Sequence, residues 1–280
     1  MTTTVGTVSI LRRYAVKSMQ GEELDEASLI EGGLVGDRAF ALIDNETGKV
    51  ASAKFPQKWR ALIQFSAGFT EPPTAGETLP PLALTRPDGA MMDASCDTLD
   101  AELSDIIGRE VTLTSVQPET ISVERLDPLA AEETIVDIGD LMTTGRFADY
   151  APIHLITTAS LAALGEHAPD VQFDPRRFRP NIVIETPDDQ SGFVENGWVG
   201  QMIEIGENVR LRITDPSPRC AIPTLAQDDL PQDQKVIRTV VTHNKVAVPA
   251  FDGKELPCVG VYGFVERTGA LQKGDAVRIV

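Results

Sequence analysis

Cys220, in the run Asp215-Pro216-Ser217-Pro218-Arg219-Cys220, carries the clearest chemical signal in the chain. Pro216 and Pro218 fix their own φ and push the residues before them into extended conformations, so the thiol is presented from a stiffened turn. The adjacent Arg219 guanidinium favours thiolate, the form that attacks electrophiles or binds soft metals. The competing reading is a small buried residue, the usual fate of a free cysteine. Cys96 and Cys258 are read in that second way, although Gly260-Val261-Tyr262 follows Cys258 closely. His243-Asn244 suggests a Cys–His nucleophile pair, which only geometry can support.

For an acidic chain, several basic side chains stand in ordered places. Arg176-Arg177-Phe178-Arg179-Pro180-Asn181 puts three guanidiniums at the start of a strand, Gly36-Asp37-Arg38 leads another, and Lys17-Ser18 is expected to end one. The planar guanidinium fork donates two hydrogen bonds at once and suits phosphate, while lysine adds a point charge and serine a hydroxyl. Together Lys17, Ser18, Arg38, Arg177, Arg179 and Asn181 suit a dianionic phosphate and a polar heterocycle. The alternative is that each charge only solvates a strand end. The sequence has no Gly-x-Gly-x-x-Gly fingerprint, phosphate loop, Cys-x-x-Cys or zinc-ligand spacing.

The elements that must position these groups are mostly short strands. Val8 and Ile10 alternate with Thr7 and Ser9; Arg38–Ile43 leads into a turn at 44–48 and back through Lys49-Val50-Ala51, a hairpin with Gly48 at the positive-φ position. Leu99, Leu103, Ile106 and Ile107 share one face of a helix capped at Asp97 or Thr98 and stopped at Gly108. The acid-rich stretch 100–140 reads as a connector, with Glu132 and Glu133 on its surface. A short helix with a threonine cap and a stop at Gly165 follows His154-Leu155-Ile156. Asn181–Ile184 is a buried strand, Val209–Thr214 a half-exposed one delivering the chain to Cys220, and Ala276–Val280 a closing strand. The expected fold class is α+β, β-dominated, a barrel or sandwich-like core with short helices.

At 280 residues the chain is long enough for one large or two modest domains. Its net charge is −17, which argues against a general nucleic-acid or anionic-membrane binder. No apolar run is long enough to span a bilayer, no signal-peptide pattern opens the chain, and three scattered cysteines make no disulfide framework. The expected compartment is a reducing cytoplasm.

Six elements in order along the chain resemble the MOSC family, in its two-part form with an N-terminal MOSC β domain. They are Tyr14-x-Val16-Lys17-Ser18, Gly36-Asp37-Arg38, Asp149-x-x-Pro152, Phe178-Arg179-Pro180-Asn181, Pro218-Arg219-Cys220, and Gly260-x-Tyr262 before Gly274-Asp275. The resemblance implies an N-terminal domain over 1–125 and a MOSC β-barrel domain over 126–280. It implies a molybdenum cofactor with Cys220 as thiolate ligand to the metal, and Lys17, Ser18, Arg38, Arg179, Asn181, Arg219 and Tyr262 around the pterin and its phosphate. Asp149 would lie near the metal, as a catalytic proton- or water-positioning group. The implied activity is reduction of small N-hydroxylated or N-oxide-like substrates. No cysteine-rich ferredoxin tail is present, so electrons would come from a separate donor protein of ferredoxin, flavoprotein or cytochrome type. Two other readings keep the same residues: a persulfide sulfur-transfer protein using Cys220, and a non-catalytic cofactor carrier.

Overall fold

The structure, a computed structural model, describes residues 2–126 and 134–280, so Glu132 and Glu133 lie outside the described residues. Seven strands close into a barrel: β1 (Thr3–Arg13), β2 (Ile153–Thr157), β3 (Ile182–Glu185), β4 (Met202–Ile205), β5 (Val209–Pro218), β6 (Lys254–Arg267) and β7 (Ala276–Ile279). Around the barrel the order is β2, β3, β1, β7, β4, β5, β6, and back to β2. Closure falls on β6, where Gly263 faces Ile153 of β2 on one side and Ile213 of β5 on the other. All pairings are antiparallel except β2 with β3. β1, from the opening of the chain, is thus a barrel strand between β3 and β7.

The barrel interior is filled by Val8, Leu11, Ile153, Leu155, Ile182, Ile184, Ile203, Ile205, Leu211, Ile213, Val261 and Val277. Fully burying each such side chain contributes about 1.5–3 kcal/mol relative to leaving it in water. The intervening residues Ile156, Val183 and Val259 point outward into a second cluster with Leu164 and Val240. That cluster lies under two helices, Thr158–His167 and Lys235–His243. A strand covered on both faces needs apolar side chains throughout, which is why Ile182-Val183-Ile184 shows no alternation.

The first half adds its own core around Val16, Leu42, Phe55, Trp59, Leu62, Phe65, Leu84, Leu103 and Val111. It is framed by strands Ala41–Asp44 with Val111–Thr114 and by a three-stranded sheet of Ser66–Phe69, Leu82–Thr85 and Met91–Asp93. A helix over Leu99–Ile107 caps it, starting after Thr98 and ending at Gly108 as expected, although the Thr98 side chain makes no capping bond. A smaller cluster of Ala53, Ile63, Ile222 and Leu225 fastens the loop after Cys220 to this half.

Several local expectations change. β1 ends at Arg13, so Lys17-Ser18 lies in the loop beyond it rather than at its end. The 38–43 strand begins at Ala41 and pairs mainly with Val111–Thr114; its hairpin to 49–51 is a single Ile43–Val50 bridge around a turn in which Gly48 has φ 71°. Gly165 does not stop its helix, which runs on to His167 from a Thr157 cap accepting the Ser160 N–H at 3.1 Å. The acid-rich 100–140 stretch is more than a connector, since it carries the 99–107 helix, the 111–114 strand and a hairpin of Glu124–Leu126 with Ile135–Asp137. Cys96 is exposed, not core filler, because it sits in a turn leading into that helix.

Candidate functional site

One cleft gathers the residues that the sequence suggested for phosphate, heterocycle and metal. Lys17, Ser18, Arg38, Asp149, Arg177, Arg179, Asn181, Arg219, Cys220 and Tyr262 all line it. Its space, counted to the open mouth, is about 830 Å³. The loop after β1 brings Tyr14 to Ser18, the turn after Gly36 brings Arg38, and the turn after Phe178 brings Arg179. Ser18, Arg38 and Arg179 have φ of 66°, 49° and 58°. For residues with a Cβ this left-handed backbone costs on the order of 1–3 kcal/mol each, and it persists only where surroundings enforce it. They do: Ser18 Oγ accepts the Ala53 N–H at 3.0 Å, Arg38 N–H donates to the Tyr14 carbonyl at 2.6 Å, and Arg179 N–H donates to the Pro175 and Arg176 carbonyls.

Below the cleft, buried Asp37 accepts from the Tyr14 amide at 2.8 Å, from the Arg38 guanidinium, and from Asn181 Nδ2 at 3.1 Å. The guanidiniums of Arg38 and Arg179 lie 4.8 and 4.3 Å from the centre of the Tyr14 ring, within cation–π range. Asn181 gives its remaining groups to the Arg12 carbonyl and the His154 amide, so it braces this floor. Burial brings the Arg179 guanidinium down to about 10.

Asp149 stands between two lysines. Its Oδ1 accepts from Lys17 Nζ at 2.5 Å and its Oδ2 from Lys54 Nζ at 2.9 Å. Desolvation pushes the carboxyl up, but the charges and hydrogen bonds of Lys17 and Lys54 outweigh it and hold Asp149 well below the usual carboxylate range. Burial lowers Lys17, which also donates to the Phe147 carbonyl at 3.0 Å. Cys220 is half-buried against Ala53, Ile63, Ile222 and Leu225. Beside it, Arg219 donates to the Ser217 and Phe178 carbonyls, both at 3.0 Å, which tie β5 to the arginine turn.

Arg177 behaves differently from its neighbours. It is 1% exposed and spends its fork on the carbonyls of Gln172, Pro223, Leu225 and Pro231, so it clamps the loop after Cys220 instead of presenting donors to the cleft. His243 is not beside Cys220. It stacks on His167 with centroids 3.7 Å apart at the ends of their two helices, which removes the Cys–His pair. Cys258 is fully buried; burial pushes its thiol up to about 12, and Sγ lies 3.3 Å from the Leu256 carbonyl.

Sequence reasoning missed Lys54, Arg125, Tyr150 and His154, which also line the cleft. Lys54 and Arg125 were legible only as basic residues in an acidic chain. His154 precedes the apolar run of β2, where burial and then Arg219 push its imidazole well below its usual range, with Nε2 3.1 Å from the Val259 carbonyl. Gly260 makes this approach possible. With φ 79°, an added Cβ would lie 2.2 Å from the Leu155 carbonyl and 2.5 Å from His154 Nε2.

Comparison with known proteins finds two domain matches along the chain. Residues 5–68 match the MOSC N-terminal beta barrel domain and residues 143–278 match the MOSC domain. The chain is 25% identical over 287 residues to mitochondrial amidoxime reducing component 2 of Bos taurus, covering 98% of this chain and 83% of that protein. It is 30% identical over 135 residues to the Homo sapiens protein of the same name, covering 47% of this chain and 38% of that one. Among solved structures, the YUAD protein of Bacillus subtilis aligns over 100% of this chain and 97% of its own, at TM-score 0.48 and 14% identity. With both domain matches in order along one chain, this protein belongs to the MOSC-domain family, in its form with an N-terminal MOSC beta barrel domain.

Proposed function

We propose that this protein is a molybdenum-cofactor oxidoreductase that reduces small N-hydroxylated or N-oxide-like compounds with electrons from a separate donor protein. The observation that carries the reading is a half-buried cysteine sharing one cleft with Lys17, Arg38, Lys54, Arg125, Arg179 and Arg219. The donor set fits the group. A thiolate is a soft ligand suited to a metal already held by sulfur, and guanidinium forks suit a phosphate. Arg125 Nε is buried in the cleft wall with no partner among the described residues, a donor left for a ligand. The strained backbones at Ser18, Arg38 and Arg179 aim three donors inward, as expected where a ligand's contacts justify the cost. The names of the bovine and human relatives point to the same substrate chemistry.

In this reading Cys220 would hold the metal. Arg38, Arg179, Arg219 and Lys17 hold the phosphate, with the Ser18 hydroxyl free to donate while its oxygen accepts from Ala53. Tyr262 would border the pterin, and Asn181 acts from behind by fixing Asp37 and Arg38. When bound, the cofactor supplies the two-electron reduction; the protein orients it and manages protons. Asp149, held ionised by Lys17 and Lys54, accepts a hydrogen bond from water and cannot serve as the resting acid. Lys54, bonded to Asp149 Oδ2, would deliver one proton at the cleft face and be reloaded from solvent, and solvent would supply the second, so that with the cofactor's two electrons the substrate oxygen leaves as water.

The test is metal and pterin content of protein made in a host that synthesises the cofactor, for wild type and Cys220→Ala. Near-stoichiometric molybdenum in wild type, lost in the variant, is expected. No molybdenum in either overturns the reading, and intact mass of Cys220 then tests for a persulfide.

A further inference from the structure

Beside its cationic groups the cleft carries aromatic rings. Tyr150 and Tyr262 both line it, with ring centres 5.3 Å apart and planes at 58°. Phe264 extends the surface, its ring edge-on to Tyr150 at 6.0 Å. His154 sits against Tyr262 at 5.9 Å. Tyr262 and Phe264 are two residues apart on β6 and share a face, and all three rings are half-buried. The Tyr150 ring is held in place: its hydroxyl donates to Asp215 Oδ2 at 2.8 Å, and buried Asp215 accepts the Ala250 N–H at 2.8 Å through Oδ1. Burial, then the Asp215 hydrogen bond, pushes the Tyr150 hydroxyl up to about 12. With its hydroxyl committed to Asp215, Tyr150 offers a bound molecule mainly its ring.

We propose that Tyr150, fixed by Asp215 and continued by Tyr262, is a specificity-determining wall that selects planar, aryl-bearing substrates. The substrate ring stacks on Tyr150, and its polar oxygen end points across the cleft toward Lys54, Arg219 and Cys220. Offset aromatic stacking contributes beyond the area it buries. A compact aliphatic N-oxide would satisfy the polar end alone. This selectivity rests on the oxidoreductase reading for its chemistry, but the wall itself binds whether or not turnover occurs.

The experiment measures dissociation constants of quinoline N-oxide and trimethylamine N-oxide on the purified full chain by titration calorimetry. Wild type is compared with Tyr150→Phe, which keeps the ring, and Tyr150→Leu, which keeps apolar bulk without it. Expected is at least tenfold tighter binding of the aryl compound to wild type, largely kept in Tyr150→Phe and reduced about tenfold in Tyr150→Leu. Equal affinity of the two compounds for wild type, or undiminished aryl preference in folded Tyr150→Leu, overturns the proposal. If Tyr150→Leu does not fold, Tyr150→Met is measured in its place, where loss of the preference supports the proposal and retention overturns it. Absence of molybdenum or of turnover would sink the oxidoreductase reading while leaving the binding preference intact, so the two failures are distinguishable.

Discussion

Arg177 and Arg176 are adjacent arginines, and the structure separates their roles sharply enough to test. Arg177 is 1% exposed and donates to the Gln172, Pro223 and Pro231 carbonyls at 2.9, 3.1 and 2.9 Å, with a longer contact to Leu225. Replacing it by methionine leaves three well-formed acceptors without a donor, each gross loss being about 1.5–3 kcal/mol for a charged partner. Relief of the guanidinium's own desolvation and entry of water offset roughly half, leaving a net loss of about 3–4 kcal/mol. In a chain of this size that is a fall of about 10 °C in melting temperature. Arg176 instead pairs with Asp174, Asp228 and Asp229, the last two 63% and 64% exposed, so Arg176→Gln should cost no more than about 1 kcal/mol. The assay is urea denaturation of both variants alongside wild type, with hydrogen exchange at the Gln227 and Leu230 amides, which close a small turn inside the clamped loop. A loss below about 1 kcal/mol for Arg177→Met, or equal losses for the two variants, would refute the clamp.

His154 is buried neutral, so between its depressed folded value and about 6.5 the unfolded chain binds more protons than the folded one. Stability therefore falls as pH drops below about 6.5, by up to about 1.4 kcal/mol per pH unit from this group, and His154→Gln should flatten that slope in pH-dependent melting curves. Asp149 has the same sign in a lower window: its contribution is complete above about 4 and is lost with further acidification, and Asp149→Asn removes that acid dependence. Under native conditions iodoacetamide should label Cys96 but not Cys258 until the chain is unfolded, as peptide mass spectrometry would record; native labelling of Cys258 contradicts its burial. Gly260→Ala must move a Cβ that would lie 2.2 Å from the Leu155 carbonyl, at a backbone angle alanine disfavours, so a loss above about 3 kcal/mol is expected by denaturation.

What could be read beforehand divides along physical lines. Cys220 was legible because two prolines and an arginine constrain it locally, and Ile182–Ile184 because a strand buried on both faces must be apolar throughout. Arg38 and Arg179 were legible as charges at strand starts. Their left-handed backbones were not, since nothing in a lone arginine announces positive φ; backbone bonds to Tyr14, Pro175 and Arg176, the Asp37 network and the Tyr14 ring hold it. Arg177 shows the limit of counting charges. In sequence it is equivalent to Arg179, and only the fold of the 222–231 loop turns its fork inward. Lys54 was invisible because its partner, Asp149, is distant in sequence. The place of β1 in the barrel was equally hidden, because its partners are the β3 and β7 segments far down the chain.

The site's electrostatics run against those of the chain. Seven cationic side chains and one carboxylate line the cleft of a protein whose net charge is −17. Bringing like charges together under low exposure is costly, and the protein offsets that cost unevenly. Arg177 is satisfied by carbonyls, Arg38 by Asp37, and Lys17 with Lys54 by Asp149. Arg179 keeps one strong bond, to the Met19 carbonyl at 2.6 Å, and a ring face. Arg219 keeps two carbonyls and Arg125 an orphaned Nε. The cleft arginines without a carboxylate partner among the described residues are thus Arg125, Arg179 and Arg219, with Arg177 held by carbonyls, and their forks fit phosphate. Over the ~8 Å screening length of physiological salt the acidic exterior scarcely reaches into the cleft. An anion that has entered meets mainly these arginines, whereas one approaching from a distance meets a negative surface. Anion affinity at this site should accordingly be governed by close contact: its association rate rises with moderate salt as the exterior is screened, and loss of any one of Arg38, Arg179 or Arg219 shows mainly in the dissociation rate.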